Sequence, residues 1–213
     1  MNILAIDTST DYLSLAILKD GKVAAKFHKK VDRRHSMLLV PTIEKILKKV
    51  KLNIGKIDCF TISIGPGSFT GLRIGVTVVK GLAYALKKKI VAVPTLDAIA
   101  DNAKGFKGVI CPVLDARKNK VYACIYKSDG KTIKKISKYL LTPMEELLKK
   151  TNKYDKVVFL GDTANNNFNK DWHPKADIAA KLGLEDYKKK KFVKPEDLEP
   201  MYLYSHECDI KGV

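Results

Sequence analysis

The sequence lacks several features that mark secreted, membrane or metal-binding proteins. Its four cysteines, Cys59, Cys111, Cys124 and Cys208, are scattered singly, whereas zinc and redox motifs need close cysteine pairs. No apolar run approaches the roughly 20 residues of a membrane span, and the start MNILAIDTST lacks the parts of a signal peptide. We therefore expect a cytoplasmic protein with no membrane partner, in which the cysteines are buried free thiols.

Acidic residues are scarce, since 23 Asp and Glu oppose 40 Lys and Arg and leave a formal charge of +17. A field of that sign attracts nucleic acid or an acidic partner. The excess lies in lysine runs such as LKKK at 86–89 and YKKKKF at 187–192, without the interleaved aromatic residues of single-strand binders. Such runs are also typical of solvated faces, and they do not support direct base readout.

The chain contains an internal repeat. Its 213 residues, 46% of them apolar, suffice for one large domain or two small ones. Strand, aspartate turn, strand, Asp-Gly turn and strand follow one another from Asn2, and the same order recurs from Val109. The spacing predicts a duplicated α/β unit, with a first lobe at 1–106 and a truncated second lobe at 107–213 that carries an extended lysine-rich tail.

Apolar periodicity predicts the elements within each copy. In the first copy it indicates helices over 35–50, 70–88 and 95–103 and strands over 57–64 and 90–94. In the second it indicates a helix that starts at Thr142 and Pro143, a strand over 156–161 and a short helix near 178–182.

The segment GPGSFTGLRIG at 65–75 follows a predicted strand but fails both common phosphate signatures. Gly71 is followed by Leu72 rather than by the lysine of a Walker loop, and Thr70 stands where a dinucleotide fingerprint has its third glycine. We interpret the segment as a structural turn in which glycines allow positive φ, a proline adds stiffness and a hydroxyl caps the next helix. Its residues are Gly65, Pro66, Gly67, Ser68 and Thr70.

The helix after this turn has glycines in its interior. Each costs about 1 kcal/mol relative to alanine, so close backbone packing is the expected reason for Gly71 and Gly75. The spacing is equally consistent with packing inside the domain and with packing against another subunit.

Asp7 and Asp115 each end an apolar strand at a polar turn. In actin-like ATPases and sugar kinases, acidic residues at strand ends face each other across a cleft that holds Mg²⁺ and phosphates. Asp7, Thr8, Ser9 and Asp115 are therefore candidates for a vestigial nucleotide cleft. The alternative is that each aspartate caps its own turn.

Five segments carry a resemblance to a known family. They are MNILAIDTST, RRHSMLLVPTIEKIL, SIGPGSFTGLRIGVTVVKGLAYAL, VPTLDAIA and VLDARKNKVYACIY. Together they resemble the TsaB family of bacterial tRNA threonylcarbamoyladenosine biosynthesis proteins, most specifically at GPGSFTGLR. The resemblance implies an α/β fold of the actin/Hsp70/sugar-kinase-like (ASKHA) type with two lobes. The tail matches more loosely, because Tyr204 stands where the family commonly has arginine.

The resemblance also implies membership of a complex that installs threonylcarbamoyl on N6 of adenosine 37 in tRNAs reading ANN codons. In that complex a non-catalytic scaffold activates its paralogue TsaD as a heterodimer, the ATPase TsaE joins them, and the scaffold pairs with itself when alone. For this chain the resemblance implies no catalytic residue and no cofactor, apart from weak ATP or ADP binding in the complex. The expected partner interface is Gly71, Leu72, Ile74, Gly75, Val78, Val79 and Leu82. A large charged residue at Gly75 is expected to abolish TsaD binding and leave the monomer folded.

The spacing of the histidines indicates whether this chain can bind the metal ion of the catalytic paralogue. The catalytic paralogue binds metal through a His-x-x-x-His pair and a strand-end aspartate, but here Val31 and Leu39 flank His35 at that spacing. We expect no metal site, and we expect His35 to be a satisfied capping residue. The segment FLGDTANN at 159–166 resembles an adenosine-binding segment only faintly.

Two other classes of function stay open. An autonomous ATP-dependent phosphotransferase would use Asp7 and Asp115 to organise Mg-ATP. A basic tRNA-binding module would bind tRNA without TsaD, with an affinity that falls steeply as salt rises. We expect the basic surface to assist tRNA only within the assembled complex.

Overall fold

The computed structural model describes residues 1–162 and 172–204. The first half of the chain forms five strands, three α-helices and a 3-10 turn at Ile54–Lys56. In chain order its strands and helices are β1 (Asn2–Asp7), β2 (Tyr12–Lys19), β3 (Lys22–Lys30), α1 (His35–Lys49), β4 (Cys59–Ser63), α2 (Phe69–Leu86), β5 (Lys89–Val93) and α3 (Thr95–Asp101).

The rest of the described chain contains six strands and two helices. In chain order they are β6 (Lys107–Asp115), β7 (Lys120–Ala123), β8 (Tyr126–Asp129), β9 (Ile133–Lys135), β10 (Leu140–Pro143), α4 (Met144–Thr151), β11 (Val157–Gly161) and α5 (Ala176–Lys188).

The first sheet has the strand order β3-β2-β1-β4-β5, with β1 to β3 antiparallel and β1, β4 and β5 parallel. Successive residues of a strand face opposite sides. Leu4 and Ile6 accordingly pack under α1 and α2, whereas Ile3 and Ala5 pack under α5. The sheet is therefore buried on both faces, which explains the nearly continuous apolar sequence of β1.

The second sheet repeats this arrangement with broken strands. β7 and β8 lie opposite β6 in one continuous register, with Ala123 opposite Val113 and Tyr126 opposite Ile110, so they form one interrupted counterpart of β2. β9 and β10 line the outer side of that pair, and β11 runs parallel to β6 as β4 does to β1. No counterpart of β5 follows among the described residues. The predicted duplication with a truncated second copy is confirmed.

The two halves exchange helices across the predicted boundary at residue 106. Helix α3 belongs to the first half but packs on β6, where Leu96 and Ile99 lie in the second core. Helix α5 follows the second sheet in the chain but packs on β1 and β2 of the first. Leu198, further along the tail, lies in the core beneath α1 and α2. The lobe assignment of 107–213 therefore needs correction, because residues 176–198 pack on the first lobe.

Helix α5 is longer than the segment predicted near 178–182. Its buried side consists of small residues rather than an apolar stripe, namely Ala176, Ala179, Ala180 and Gly183. A Cβ at Gly183 would lie 2.3 Å from Thr61 Oγ1 in β4. The helix lies so close to the sheet that large side chains do not fit, and hydrophobic periodicity therefore gives a weak signal.

Helix α2 corrects one expectation about apolar runs. By length and composition alone, its 18 residues are sufficient to cross a membrane. However, the inner side of α2, which includes Val76, Val79 and Ala83, is buried in the core of the first lobe.

The predicted free, buried thiols are confirmed for Cys59, Cys111 and Cys124, while Cys208 lies outside the described residues.

Candidate functional site

The glycine turn joins the end of β4 to α2, and the structure refines the role of each residue. Gly65 has φ +111° and is followed by a cis peptide bond to Pro66. Gly67 does not have a positive φ, contrary to expectation; a Cβ there would lie 2.3 Å from Ser9 O, so close approach is what requires glycine. Ser68 is the N-cap, because its Oγ accepts a hydrogen bond from Gly71 N at 3.3 Å. Thr70 lies inside the helix.

The helix glycines serve packing within the domain. A Cβ at Gly71 would lie 2.1 Å from Thr8 O, and one at Gly75 would lie 2.3 Å from Thr8 Oγ1. Thr8 Oγ1 also donates a hydrogen bond to Gly71 O at 2.7 Å. The first turn of α2 is thus held directly against the loop after β1.

This packing changes the predicted partner interface. Gly71, Leu72, Gly75 and Val79 are buried in the chain itself, so a partner would not touch them. A charged residue at Gly75 would collide with Thr8, so such a variant is expected to lose stability as well as partner binding. Three members of the predicted set keep partly exposed side chains beside the core, namely Ile74, Val78 and Leu82.

The outer face of α1 and α2 exposes large apolar side chains. Met37 is 71% exposed and Val40 48% on α1, and Phe69 is 53% exposed and Tyr84 78% on α2. We call the solvent-facing sides of these two adjacent helices, with the partly exposed Ile74, Val78 and Leu82, the α1/α2 face. Exposed large apolar side chains on adjacent elements mark candidate protein–protein interaction sites.

A cleft of about 1040 Å³ opens beside the first turn of α2. Its walls combine the loop after β1, the turn after β6 and the tail, and they include Ser9, Ser68 and Asp115. Four cations face it, Arg33, Arg73, Arg117 and Lys118, together with the acids Asp11, Asp115 and Asp162. Charges of both signs line the cleft, so its walls are not a purely cationic phosphate site.

Asp7 does not line this cleft. The side chain is 1% exposed, and its Oδ1 accepts hydrogen bonds from Ser9 N at 3.0 Å and Ser9 Oγ at 2.8 Å. Its Oδ2 is buried without a hydrogen-bond partner. Burial raises the pKa of Asp7, although the hydrogen bonds from Ser9 oppose the shift. Asp7 and Thr8 are therefore misplaced in the predicted nucleotide cleft.

Asp115 does reach the cleft, but it is already engaged. Its Oδ1 accepts a hydrogen bond from Arg117 N at 2.8 Å, and its Oδ2 lies 3.5 Å from Arg117 Nη1. Both strand-end aspartates thus brace their own turns, as the alternative interpretation held. One strand-end carboxylate is thus enclosed in the chain, and the other is paired with arginine.

The histidines also differ from expectation in detail. His35 is buried and its Nε2 lies 3.2 Å from Tyr12 O, so it is satisfied. It is not a cap, because Arg34 holds the N-cap position of α1. His28 and His173 pack against the Tyr12 ring. Residues 1–162 and 172–204 contain no group of three metal-ligating side chains, and residues 163–166 of the faint adenosine-binding segment lie outside the described ranges.

Sequence reasoning missed the contribution of the tail to this cleft. Arg73 lies 3.8 Å above the Phe69 ring, and its Nε donates a hydrogen bond to Tyr202 Oη at 3.1 Å. Tyr204 Oη donates to Ala116 O at 2.9 Å and so ties the tail to the second sheet. These partners are far apart in sequence, and no local pattern signals them.

Two copies of one α/β unit, joined by exchanged helices around a cleft, define an ASKHA-type protein. The activator of the 2-hydroxyisocaproyl-CoA dehydratase from Clostridium difficile, solved with bound ADPNP, shares this fold at TM-score 0.52. It covers 95% of this chain and 100% of that one at 12% identity, a likeness of fold alone.

Comparison with known proteins identifies the family within the ASKHA class. A family model described as TsaD, tRNA N6-adenosine threonylcarbamoyltransferase, matches residues 26–190. The tRNA threonylcarbamoyladenosine biosynthesis protein TsaB of Bacillus subtilis is 34% identical over 76% of this chain and 71% of its own length. TsaB of Escherichia coli is 36% identical over 61% of this chain and 56% of its own length. YeaZ from Pseudomonas aeruginosa superposes with TM-score 0.82 at 25% identity, covering 95% of this chain and 99% of that one. The chain belongs to the TsaB family.

Proposed function

We propose that this chain is a non-catalytic scaffold that binds a TsaD-type paralogue through the α1/α2 face. In that role it supports transfer of threonylcarbamoyl to N6 of adenosine 37 in tRNAs that read ANN codons. The observation that carries the proposal is the exposed apolar surface of α1 and α2, which the fold of the chain alone leaves uncovered.

The distribution of exposed apolar residues supports this assignment. Of the eight large apolar side chains exposed in the described chain, Met37, Val40, Phe69 and Tyr84 lie on α1 and α2. Tyr202 packs on Phe69, with 5.3 Å between ring centroids, and extends the surface. Stable interfaces have apolar, aromatic-rich centres with charged residues at the rim. A permanent partner would therefore bury this face.

The cleft supports the non-catalytic part of the proposal. The Thr8 hydroxyl donates its hydrogen bond to Gly71 O, Asp7 is buried inside the chain, and Asp115 is paired with Arg117. No observation favours the phosphotransferase alternative, and we propose no cofactor of the chain's own. TsaE and tRNA would be reached through the complex, in the cytoplasm, and self-pairing would use the same face when TsaD is absent.

The test replaces one exposed apolar residue of α2 by a carboxylate and compares it with a matched change elsewhere. Tyr84→Glu is expected to weaken TsaD binding by at least about tenfold, because interface hot spots contribute about 2 kcal/mol or more. Leu148→Glu makes the equivalent change on α4, where Leu148 is also exposed, and is expected to bind TsaD normally. Binding is measured by titration calorimetry, and folding by thermal melting of each variant.

Reconstituted tRNA modification gives the second readout. Activity should require this chain, fall with Tyr84→Glu and recover when TsaD is in large excess. The proposal fails if Tyr84→Glu and Leu148→Glu bind TsaD equally well, or if the chain modifies tRNA without TsaD.

A further inference from the structure

The fold brings two distant lysine runs to one edge of the first sheet. Lys87, Lys88 and Lys89 follow α2. Lys188 is the last residue of α5, and Lys189 to Lys191 follow it. Val193 N donates a hydrogen bond to Ile90 O at 3.0 Å, which holds the second run beside the first. The Lys89 ammonium lies 5.4 Å from the centre of the Phe192 ring. We call these seven residues the lysine edge.

Nearby acidic side chains and helix dipoles neutralise little of this positive charge. Among the described residues, Lys191 is the member that forms an ion pair, with Asp186 at 3.1 Å. The C-terminal ends of α2 and α5 both lie here, and each helix end carries about half a negative charge. Together the two helix dipoles offset about one of the seven positive charges. Most of the charge therefore stays available to a ligand.

The chemistry of the lysine edge fits phosphate groups along a polyanion. Six of its lysines are exposed, and Lys88 is half-buried. The two aromatic residues that flank the second run are not available for base stacking, since Tyr187 and Phe192 pack on each other at 5.0 Å and on the core. No large apolar side chain within either run is exposed to anchor in a lipid surface. Flexible ammonium groups without stacking partners contact the backbone rather than read the bases.

The lysine edge is continuous with the α1/α2 face. Tyr84, 78% exposed, precedes Lys87 by three residues, which is less than one helical turn. A partner on α1 and α2 would therefore lie beside these lysines, and an RNA that it binds would be within reach of their charge. We propose that the lysine edge binds the phosphate backbone of the tRNA held by the TsaD complex, an inference that rests on the proposed function.

The test neutralises four lysines of the edge in the assembled complex. The edge variant is Lys88→Gln, Lys89→Gln, Lys189→Gln and Lys190→Gln. The control variant removes the same charge from exposed positions of the second lobe, with Lys127→Gln, Lys134→Gln, Lys149→Gln and Lys150→Gln. The dissociation constant for tRNA is measured between low and moderate salt, after TsaD binding and melting temperature have been checked for each variant.

Each lost phosphate contact reduces the slope of log K against log salt by about 0.9 on a duplex. We expect the edge variant to reduce the slope by about two or more and to weaken tRNA binding at least tenfold at about 0.1 M salt. The control variant should change affinity by less than about threefold. Equal effects of the two variants would overturn the inference, as would an unchanged edge variant or selective binding of wild type to anionic lipid vesicles. Failure of wild type to bind TsaD would instead refute the proposed function.

Discussion

Gly75→Ala is expected to destabilise this protein although alanine is the better helix former. The new Cβ would lie 2.3 Å from Thr8 Oγ1 and 3.1 Å from Ile62 Cδ1. Thr8 is fully buried, and its hydroxyl donates to Gly71 O at 2.7 Å. Relief of this contact requires either that the Thr8 side chain rotates and breaks its hydrogen bond or that α2 moves away from β1.

The size of the effect follows from three contributions. Alanine contributes about 1 kcal/mol of helix propensity, the lost hydrogen bond costs about 1 kcal/mol, and overpacking costs about 1–3 kcal/mol. The expected net loss in free energy of unfolding is about 1–3 kcal/mol.

The matched control is Gly81→Ala on the same helix. Gly81 is exposed, and a Cβ there meets nothing within 4 Å, so this variant should gain about 1 kcal/mol. Urea unfolding followed by circular dichroism measures both variants. Gly75→Ala should also be less harmful in a Thr8→Ala background, where the colliding oxygen is gone. The packing argument is refuted if Gly75→Ala is as stable as Gly81→Ala.

Three further predictions concern two buried titratable groups, Asp7 and Cys59. The raised pKa of Asp7 favours its neutral form in the folded chain. The stability that neutral Asp7 contributes is therefore fully present below pH 3.8, its ordinary pKa, and is lost as pH rises through the pKa of the folded state. Asp7→Asn should therefore stabilise the chain at pH 7, by about 1 kcal/mol or more, and not at pH 3.5; equal gains at both pH values would contradict this. Burial raises the pKa of Cys59 to about 12 from 9.0, so the free energy of unfolding should fall more steeply across that range in wild type than in Cys59→Ala. In native protein at pH 8, a thiol reagent should leave Cys59 unmodified, which mass spectrometry of the peptides would check.

The sequence by itself determined the repeated α/β unit and most of its elements. Alternation and helical periodicity are local signals, and they located β1, α1 and α2 because each of these buries large apolar residues. The cap at Ser68 and the positive φ of Gly65 also follow from local chemistry. The GPGSFTGLR segment was sufficient to indicate the family. Its glycines are required by the backbone, because Gly65 has a positive φ and a Cβ at Gly67 or Gly71 would collide with a neighbouring carbonyl oxygen.

Tertiary structure alone decided which residues of α2 face the core and which stay exposed. Gly71 and Gly75 have the spacing of an interface, but the loop at Thr8 occupies the space beside them. Asp7 stands at a strand end like a catalytic aspartate, yet the chain encloses it. The lysine edge exists because α5 crosses back to the first sheet. Each of these outcomes depends on contacts between segments far apart in the chain, and hydrophobic periodicity contains no information about such distances.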